Sequence, residues 1–340
     1  MDNPNATVQA LIRAQAEKAS ETLVVSFDVF ETLIIRRLGD PSALFFEVAV
    51  ELEEHLPAGT SPSDWRQIRQ QSESLARASV HSEIRYDEIY CQVQLITGWP
   101  EKVCERFKQT ELLLEKRLSC VLPENVRMLT EYREKGLRIA FTTDIYLPSA
   151  TILELLQHHN LWQHGDSLFV SSELRLSKRE GDLFPYIAKH FAIPPKSILH
   201  IGNNEWADVK QAQRNGFQSR FAPSGNLNEL EKRLEHLSDQ TSGLSSILAG
   251  ASRLARVANP KHSEHKSALQ EMTLGTVAPA MIAFTLWVLQ EAEARGLKVL
   301  YWAARDGYVP MQIANALAKE LDLKIESRYF YSSRKSVNAC

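Results

Sequence analysis

Apolar residues along this chain follow two rhythms. Residues 22–27 (TLVVSF) form a continuous β-branched run, as expected of a strand buried on both faces of a parallel sheet, and the run leads straight into Asp28. Runs of the same kind recur at 137–143 (LRIAFTT), 167–172 (SLFVSS) and 196–202 (KSILHIG), with a shorter one at 219–222 (SRFA). Between them stand stretches at helical spacing, such as ATILELLQHHN and LFPYIAKHF. Strands alternating with helices predict the α/β class, with a right-handed, doubly wound parallel sheet of Rossmann-like type.

The pattern changes over 41–119, where Glu, Gln, Arg and Leu recur at helical intervals (DWRQIRQQSESLARASV, EKVCERFKQTELLLEKRL). We read this as a helical cap inserted after the first strand, between core segments 21–40 and 120–225, with an N-terminal helix over 1–20. A polar stretch at 222–244 marks the domain boundary. The C-terminal segment, 246–340, reads as α/β, a partial second Rossmann-like unit. Within it, EARGLKVLYWAARDGYVP (293–310) echoes EKGLRIAFTTDIYLP (134–148); convergent strand-to-helix turns and a duplicated half both account for this. The uncharged stretch 274–289 is shorter than the roughly 20 residues that span a bilayer and predicts a buried helix rather than a membrane span.

Composition narrows the function classes. At 340 residues the chain exceeds one ordinary core, and 44% hydrophobic with 24% charged residues is the composition of a folded protein. A net charge of -3 offers no global basic surface for nucleic acid. The four cysteines (Cys91, Cys104, Cys120, Cys340) show no zinc spacing and read as reduced thiols. No export signal is visible in the first twenty residues, so a cytoplasmic location is expected.

In doubly wound sheets ligands bind beyond the carboxyl ends of the strands. Asp28-Val29-Phe30-Glu31-Thr32 follows the first strand, Thr142-Thr143-Asp144 the second core strand, Lys178 the third, and Gly202-Asn203-Asn204-Glu205-Trp206-Ala207-Asp208 the fourth. This order resembles the four motifs of the haloacid dehalogenase-like (HAD) hydrolase superfamily over residues 22–222. SFDVFETLIIRR, TTDIYLPSATI, SSELRLSKREGDLF and HIGNNEWADVKQAQRNG, followed by WAARDGY and YSSRK, further resemble HAD hydrolases associated with bacterial surface-polysaccharide glycosyltransferases.

That resemblance implies a nucleophilic carboxylate at Asp28, a phosphoryl-binding hydroxyl on Thr143 (Thr142 if the register differs by one) and charge neutralisation by Lys178. It implies Mg²⁺ at Asp28, the Phe30 backbone carbonyl, Asn203 and Asp208, with Asp208 either reaching the metal through water or orienting Lys178. Thr32, Asp144 and Arg36 are candidate substrate contacts. Two positions depart from the family pattern: Phe30 stands where a general-acid Asp is usual, and Asn203 where a metal-binding Asp is usual. Glu31, adjacent to Phe30, is expected to point elsewhere. The leading expectation is a Mg²⁺-assisted phosphohydrolase or phosphotransferase working through an aspartyl-phosphate on a small phosphorylated metabolite, a sugar phosphate or glycan, with glycosyltransferases as partners by context. A catalytically impaired binding or scaffolding module in polysaccharide assembly is the second reading. A metal-independent 2-haloacid dehalogenase, which Phe30 and Asn204-Glu205-Trp206 bring to mind, is the third.

Overall fold

The computed structural model describes residues 22–80, 82–258 and 264–331. The N-terminal helix expected over 1–20, Cys340 and the end of the YSSRK segment lie outside the described residues. Contacts divide the chain into two units between Pro260 and Lys261.

The first unit is built on a parallel sheet of β1 (Val24–Phe27), β4 (Arg138–Thr143), β5 (Ser167–Val170), β6 (Ile198–Gly202) and β7 (Gln218–Phe221), in the order β5-β4-β1-β6-β7. The α/β class and all five predicted strands are present. Val25 and Phe27 enter one apolar cluster, while Val24 enters another with Phe184 and Ile187 of the helix Leu183–Phe191. Both sheet faces are therefore covered, which is why β1 shows no polar alternation. Each fully buried Val or Phe stabilises by about 1.5–3 kcal/mol relative to exposure. Phe27 pairs with Phe141 on one side and Ile201 on the other, so the residues after β1, β4 and β6 emerge at one edge of the sheet.

The helical insertion is also present, with α1 (Ala43–Glu51), α2 (Pro62–Ala78), α3 (Tyr86–Thr97) and α4 (Glu101–Arg117). Its two ends are joined by a short antiparallel ladder, β2 (Ile34–Arg36) against β3 (Ser119–Val121), too short to be visible in the periodicity. Helix α2 starts with a Ser61/Asp64 capping box and Pro62 in its first turn. Trp65 packs 4.3 Å from Phe107 and stacks on Trp99. Beside them the fully buried Arg69 donates two hydrogen bonds of 2.9 Å to the equally buried Glu111, which also accepts from the Tyr90 hydroxyl at 2.8 Å.

The boundary falls later than the polar stretch at 222–244 predicts. A helix at Leu244–Ala258 belongs to the first unit because the buried Arg253 on it donates to the carbonyls of Gly225, Arg36 and Leu38. At Gly250 a Cβ would lie 2.0 Å from the Arg37 carbonyl oxygen, so only glycine lets this helix approach the backbone just after β2 so closely.

The second unit holds a parallel pair, Val299–Ala303 with Glu326–Phe330, joined through the helix Tyr308–Glu320. Leu289, Trp302, Ala314 and Ile325 form its core. The strand that the 293–310 stretch implies is present at Val299–Ala303. The buried helix expected over 274–289 is only partly so: Pro279, Thr285 and Leu289 are buried, but Val277, Phe284 and Trp287 are exposed. The helical run His265–Ala294 is the one stretch among the described residues long and apolar enough to cross a membrane.

Removing Arg69 while keeping Glu111 leaves a carboxylate buried without its cation. Arg69→Met is expected to destabilise the protein by about 3–5 kcal/mol, and Arg69→Met with Glu111→Leu to regain most of that. Urea unfolding followed by tryptophan fluorescence checks this; a loss below about 1 kcal/mol for the single variant would contradict it.

Candidate active site

The chain runs from β1 outward to β4 and β5 and then returns to β6 on the other side of β1. That reversal opens a crevice at the carboxyl ends of β1, β4 and β6. A cavity of ≈ 330 Å³ occupies it, lined by Asp28, Glu31, Thr143, Lys178, Asn203 and Asp208 among others.

Lys178, itself buried, enters the cavity wall from the loop after β5. Asp144 anchors that loop by accepting from the backbone N–H groups of Lys178 at 2.9 Å and Arg179 at 3.1 Å. The Lys178 ammonium then donates to Asp28 Oδ1 at 2.5 Å and to Asp208 Oδ1 at 2.6 Å. Asp28 Oδ2 accepts from the Thr32 hydroxyl at 2.9 Å, and that hydroxyl also lies 3.2 Å from Asn203 Oδ1. All of Asp28, Thr32, Lys178 and Asp208 are buried.

One ammonium between two buried carboxylates serves them unequally. Burial raises both, but Lys178 and His200 hold Asp208 well below the usual range, whereas burial pushes Asp28 up to about 7 against the pull of Lys178, with the Asp208 charge adding to the rise. The asymmetry follows from the donors: Asp208 also receives His200 Nε2 at 3.0 Å and the Asn204 backbone N–H at 2.9 Å. Burial alone would lower Lys178, yet the two carboxylates raise it, so it stays an ammonium.

Several sequence expectations change here. Thr143 lines the cavity, but Thr142 is fully buried and its hydroxyl lies 2.8 Å from that of Ser26; it is no substrate contact. Thr32 is turned onto Asp28 and is absent from the cavity lining. Glu31 does not point elsewhere: a left-handed backbone, φ +55°, brings it into the cavity wall, where burial raises its carboxyl above the ordinary range despite Arg36. Arg36 lines the cavity with its guanidinium engaged, making a forked pair with Glu115 at 2.9 and 3.0 Å, lying 3.5 Å from Glu31 and 4.4 Å over the Phe30 ring. Phe30 is thus the platform for Arg36. The Trp206 ring is 43% exposed, covered by the Arg214 guanidinium at 4.5 Å, and its Nε1 donates to the Arg179 carbonyl. Arg179, Tyr146 and Pro41 line the cavity and were missed; Arg179 adjoins Lys178 in a charged run that reads as solvated surface.

The donor set fits Mg²⁺ only in reduced form. Asp28 Oδ2 and Asn203 Oδ1 converge on the Thr32 hydroxyl, and Phe30 adjoins them in the cavity wall. Asp208 is fully buried and takes three donors, with Oδ1 accepting from both Lys178 and His200 and Oδ2 from the Asn204 backbone, one more than Asp28 takes, so it is not counted as a direct ligand. Its place here is to orient Lys178. Among the described residues no group of three or more His, Cys, Asp or Glu side chains is arranged for a metal. Asn203 Oδ1 is held in place by Asn226, whose Oδ1 accepts from Asn203 Nδ2 at 2.5 Å.

No protein-family model matches the chain, and no curated protein does. Among solved structures it is similar to an L-2-haloacid dehalogenase from Xanthobacter autotrophicus with chloropropionic acid covalently bound, at 16% identity over 67% of this chain and 87% of that one, TM-score 0.42. It is similar to a HAD phosphatase from Thermococcus onnurineus, at 18% identity over 58% and 85%, TM-score 0.39. A third, the HAD-hydrolase YfnB from Bacillus subtilis bound to magnesium, is 18% identical over 59% and 88%, TM-score 0.43.

Lys178→Met leaves Asp28 and Asp208 buried without their cation, which raises both carboxyls. A carboxyl raised in the folded state releases its proton on unfolding, so its burden on the fold grows as pH rises above the unfolded value near 3.9 and vanishes below it. The variant is therefore expected to lose about 3–5 kcal/mol at pH 8, with the gap to the parent narrowing toward pH 4. Urea midpoints across this range check it; a gap independent of pH would contradict it.

Proposed function

We propose that the chain is a HAD-type hydrolase whose Asp28 carboxylate attacks phosphorus in a small phosphate ester. The observation that carries this reading is the cavity itself: a nucleophilic carboxylate held by Lys178 and Thr32 at the floor, Thr143 beside it, and cationic Lys178 and Arg179 in the wall. A phosphate dianion repels a carboxylate, and fixed cations offset that repulsion as negative charge gathers on the phosphoryl oxygens.

Asp28 forms a bond to phosphorus as the bond to the leaving oxygen breaks; water then attacks phosphorus, returning the carboxylate and releasing inorganic phosphate. Thr32 orients Asp28, Lys178 neutralises it and donates to a phosphoryl oxygen, and Thr143 supplies a hydroxyl to another. Mg²⁺, when bound at Asp28, Asn203 and the Phe30 carbonyl, would add charge neutralisation. The Phe30 side chain carries no proton, so the leaving oxygen departs without help from that position. The glycan-assembly context implied by the sequence resemblance makes sugar phosphates the first class to test.

A second reading rests on one observation. Asp28 meets one ammonium and one hydroxyl, and the side chain on the far side of that hydroxyl is the neutral amide of Asn203, a setting that also suits displacement of halide from a 2-haloacid without a metal.

A panel of aryl, acyl and alkyl phosphates and 2-haloacids, assayed with Mg²⁺ and with a chelator, separates the two. The phosphatase reading expects turnover of esters with good leaving groups, about 10²- to 10⁴-fold above alkyl phosphates because the usual acid is missing. Asp28→Asn is expected to lower turnover on the order of 10⁴-fold. Unchanged activity in that variant would sink both readings, and activity on 2-haloacids alone would leave the second.

A further inference from the structure

The sheet carries polar side chains that the reaction above leaves unused. Thr142 on β4, Ser26 on β1 and His200 on β6 lie on three adjacent strands, all fully buried. Ser26 pairs with His200 in register; its hydroxyl oxygen is 2.8 Å from Thr142 Oγ1 and 2.9 Å from His200 Nδ1. His200 Nε2 in turn lies 3.0 Å from Asp208 Oδ1, the oxygen that accepts from Lys178. The Phe184 ring meets the imidazole edge-to-face at 5.4 Å and holds its plane.

Chemistry gives this chain a direction. A carboxylate oxygen only accepts, so Nε2 must donate to Asp208. Burial lowers His200 and favours the neutral ring, so Nδ1 accepts and the Ser26 hydroxyl donates to it. Ser26 Oγ is then left to accept from Thr142. Every member is satisfied in one arrangement only, whereas a buried polar group left unpaired costs about 1–3 kcal/mol. Valine or isoleucine would fill these strand positions with none of that cost, so the arrangement calls for a role beyond packing.

We propose that Thr142, Ser26 and His200 form a one-way hydrogen-bond relay through the sheet that fixes Asp208 Oδ1 and, through it, the place of Lys178 against Asp28. His200 is then a positioning residue. This rests on the functional reading above for its effect on turnover, but not for its geometry. With two of its protons committed to Asp28 and Asp208, the ammonium presents its third toward substrate from a fixed point.

The test replaces His200 by Phe and by Gln, and Ser26 by Ala, and records the imidazole ¹⁵N spectrum of the parent and of Ser26→Ala. His200→Phe is expected to lower kcat about 10- to 100-fold with KM changed by less than about twofold, as loss of an orienting partner does. His200→Gln, whose amide N–H reaches toward Asp208, is expected to recover most of that. The parent spectrum is expected to show a neutral ring protonated at Nε2 alone, and Ser26→Ala the same tautomer with the Nδ1 resonance shifted, because Nδ1 loses the hydroxyl that donates to it. A parent imidazole protonated at Nδ1 alone, or parent-like kcat in His200→Phe, would overturn the relay. If His200→Phe fails to fold, Ser26→Ala, which removes one hydroxyl, decides: an Nδ1 resonance identical to the parent's overturns the relay. A parent that hydrolyses no phosphate ester overturns the functional reading alone, since the tautomer is read without turnover.

Discussion

The site is organised around one ammonium shared by two buried carboxylates. Lys178 holds Asp28 and Asp208 at hydrogen-bond distance in a place where neither could remain ionised alone. The rest of the active edge serves that arrangement. Asp144 fixes the loop that delivers Lys178, Thr32 fixes the far oxygen of Asp28, and His200 with Asn204 fixes Asp208. Even the glycine at the end of β6 belongs to it: a Cβ on Gly202 would lie 2.3 Å from the Asp208 carboxyl carbon.

Phe30 and Asn203 both serve this arrangement. Phe30 gives up proton transfer but supports the Arg36 guanidinium, which in turn meets Glu115 and Glu31 and stands at the joint between core and helical insertion. Asn203 gives up a negative charge, and Asn226 holds its amide so that the oxygen faces the Thr32 hydroxyl. A centre with fewer carboxylates leans more on Lys178 for neutralisation.

The strands of the sheet were legible because burial on both faces leaves unbroken apolar runs, and Asp28, Thr143 and Asn203 because they stand at strand ends, with Lys178 and Asp208 in the loops beyond. What escaped has physical causes. The β2–β3 ladder is three residues a side, below any periodic signal. Glu31 turns into the cavity through a left-handed backbone that its residue type does not announce. Arg253 and Asn226 act on the site from far along the chain. Ser26 and His200 did leave a trace, as polar residues inside otherwise apolar strands, yet only the cross-strand register shows what they pair with. The exposed Phe284 and Trp287 show the limit of reading burial from composition.

In the proposed reaction Asp28 becomes covalently attached to the phosphoryl group of the substrate. Quenching the protein during turnover of a phosphate ester with borohydride, followed by peptide mass spectrometry, tests it most directly, because an acyl phosphate is reduced to the alcohol while a free carboxylate is not. The account predicts homoserine at position 28 in the presence of substrate and none without it. Turnover with Asp28 unmodified, or a reduced carboxyl elsewhere, would contradict it.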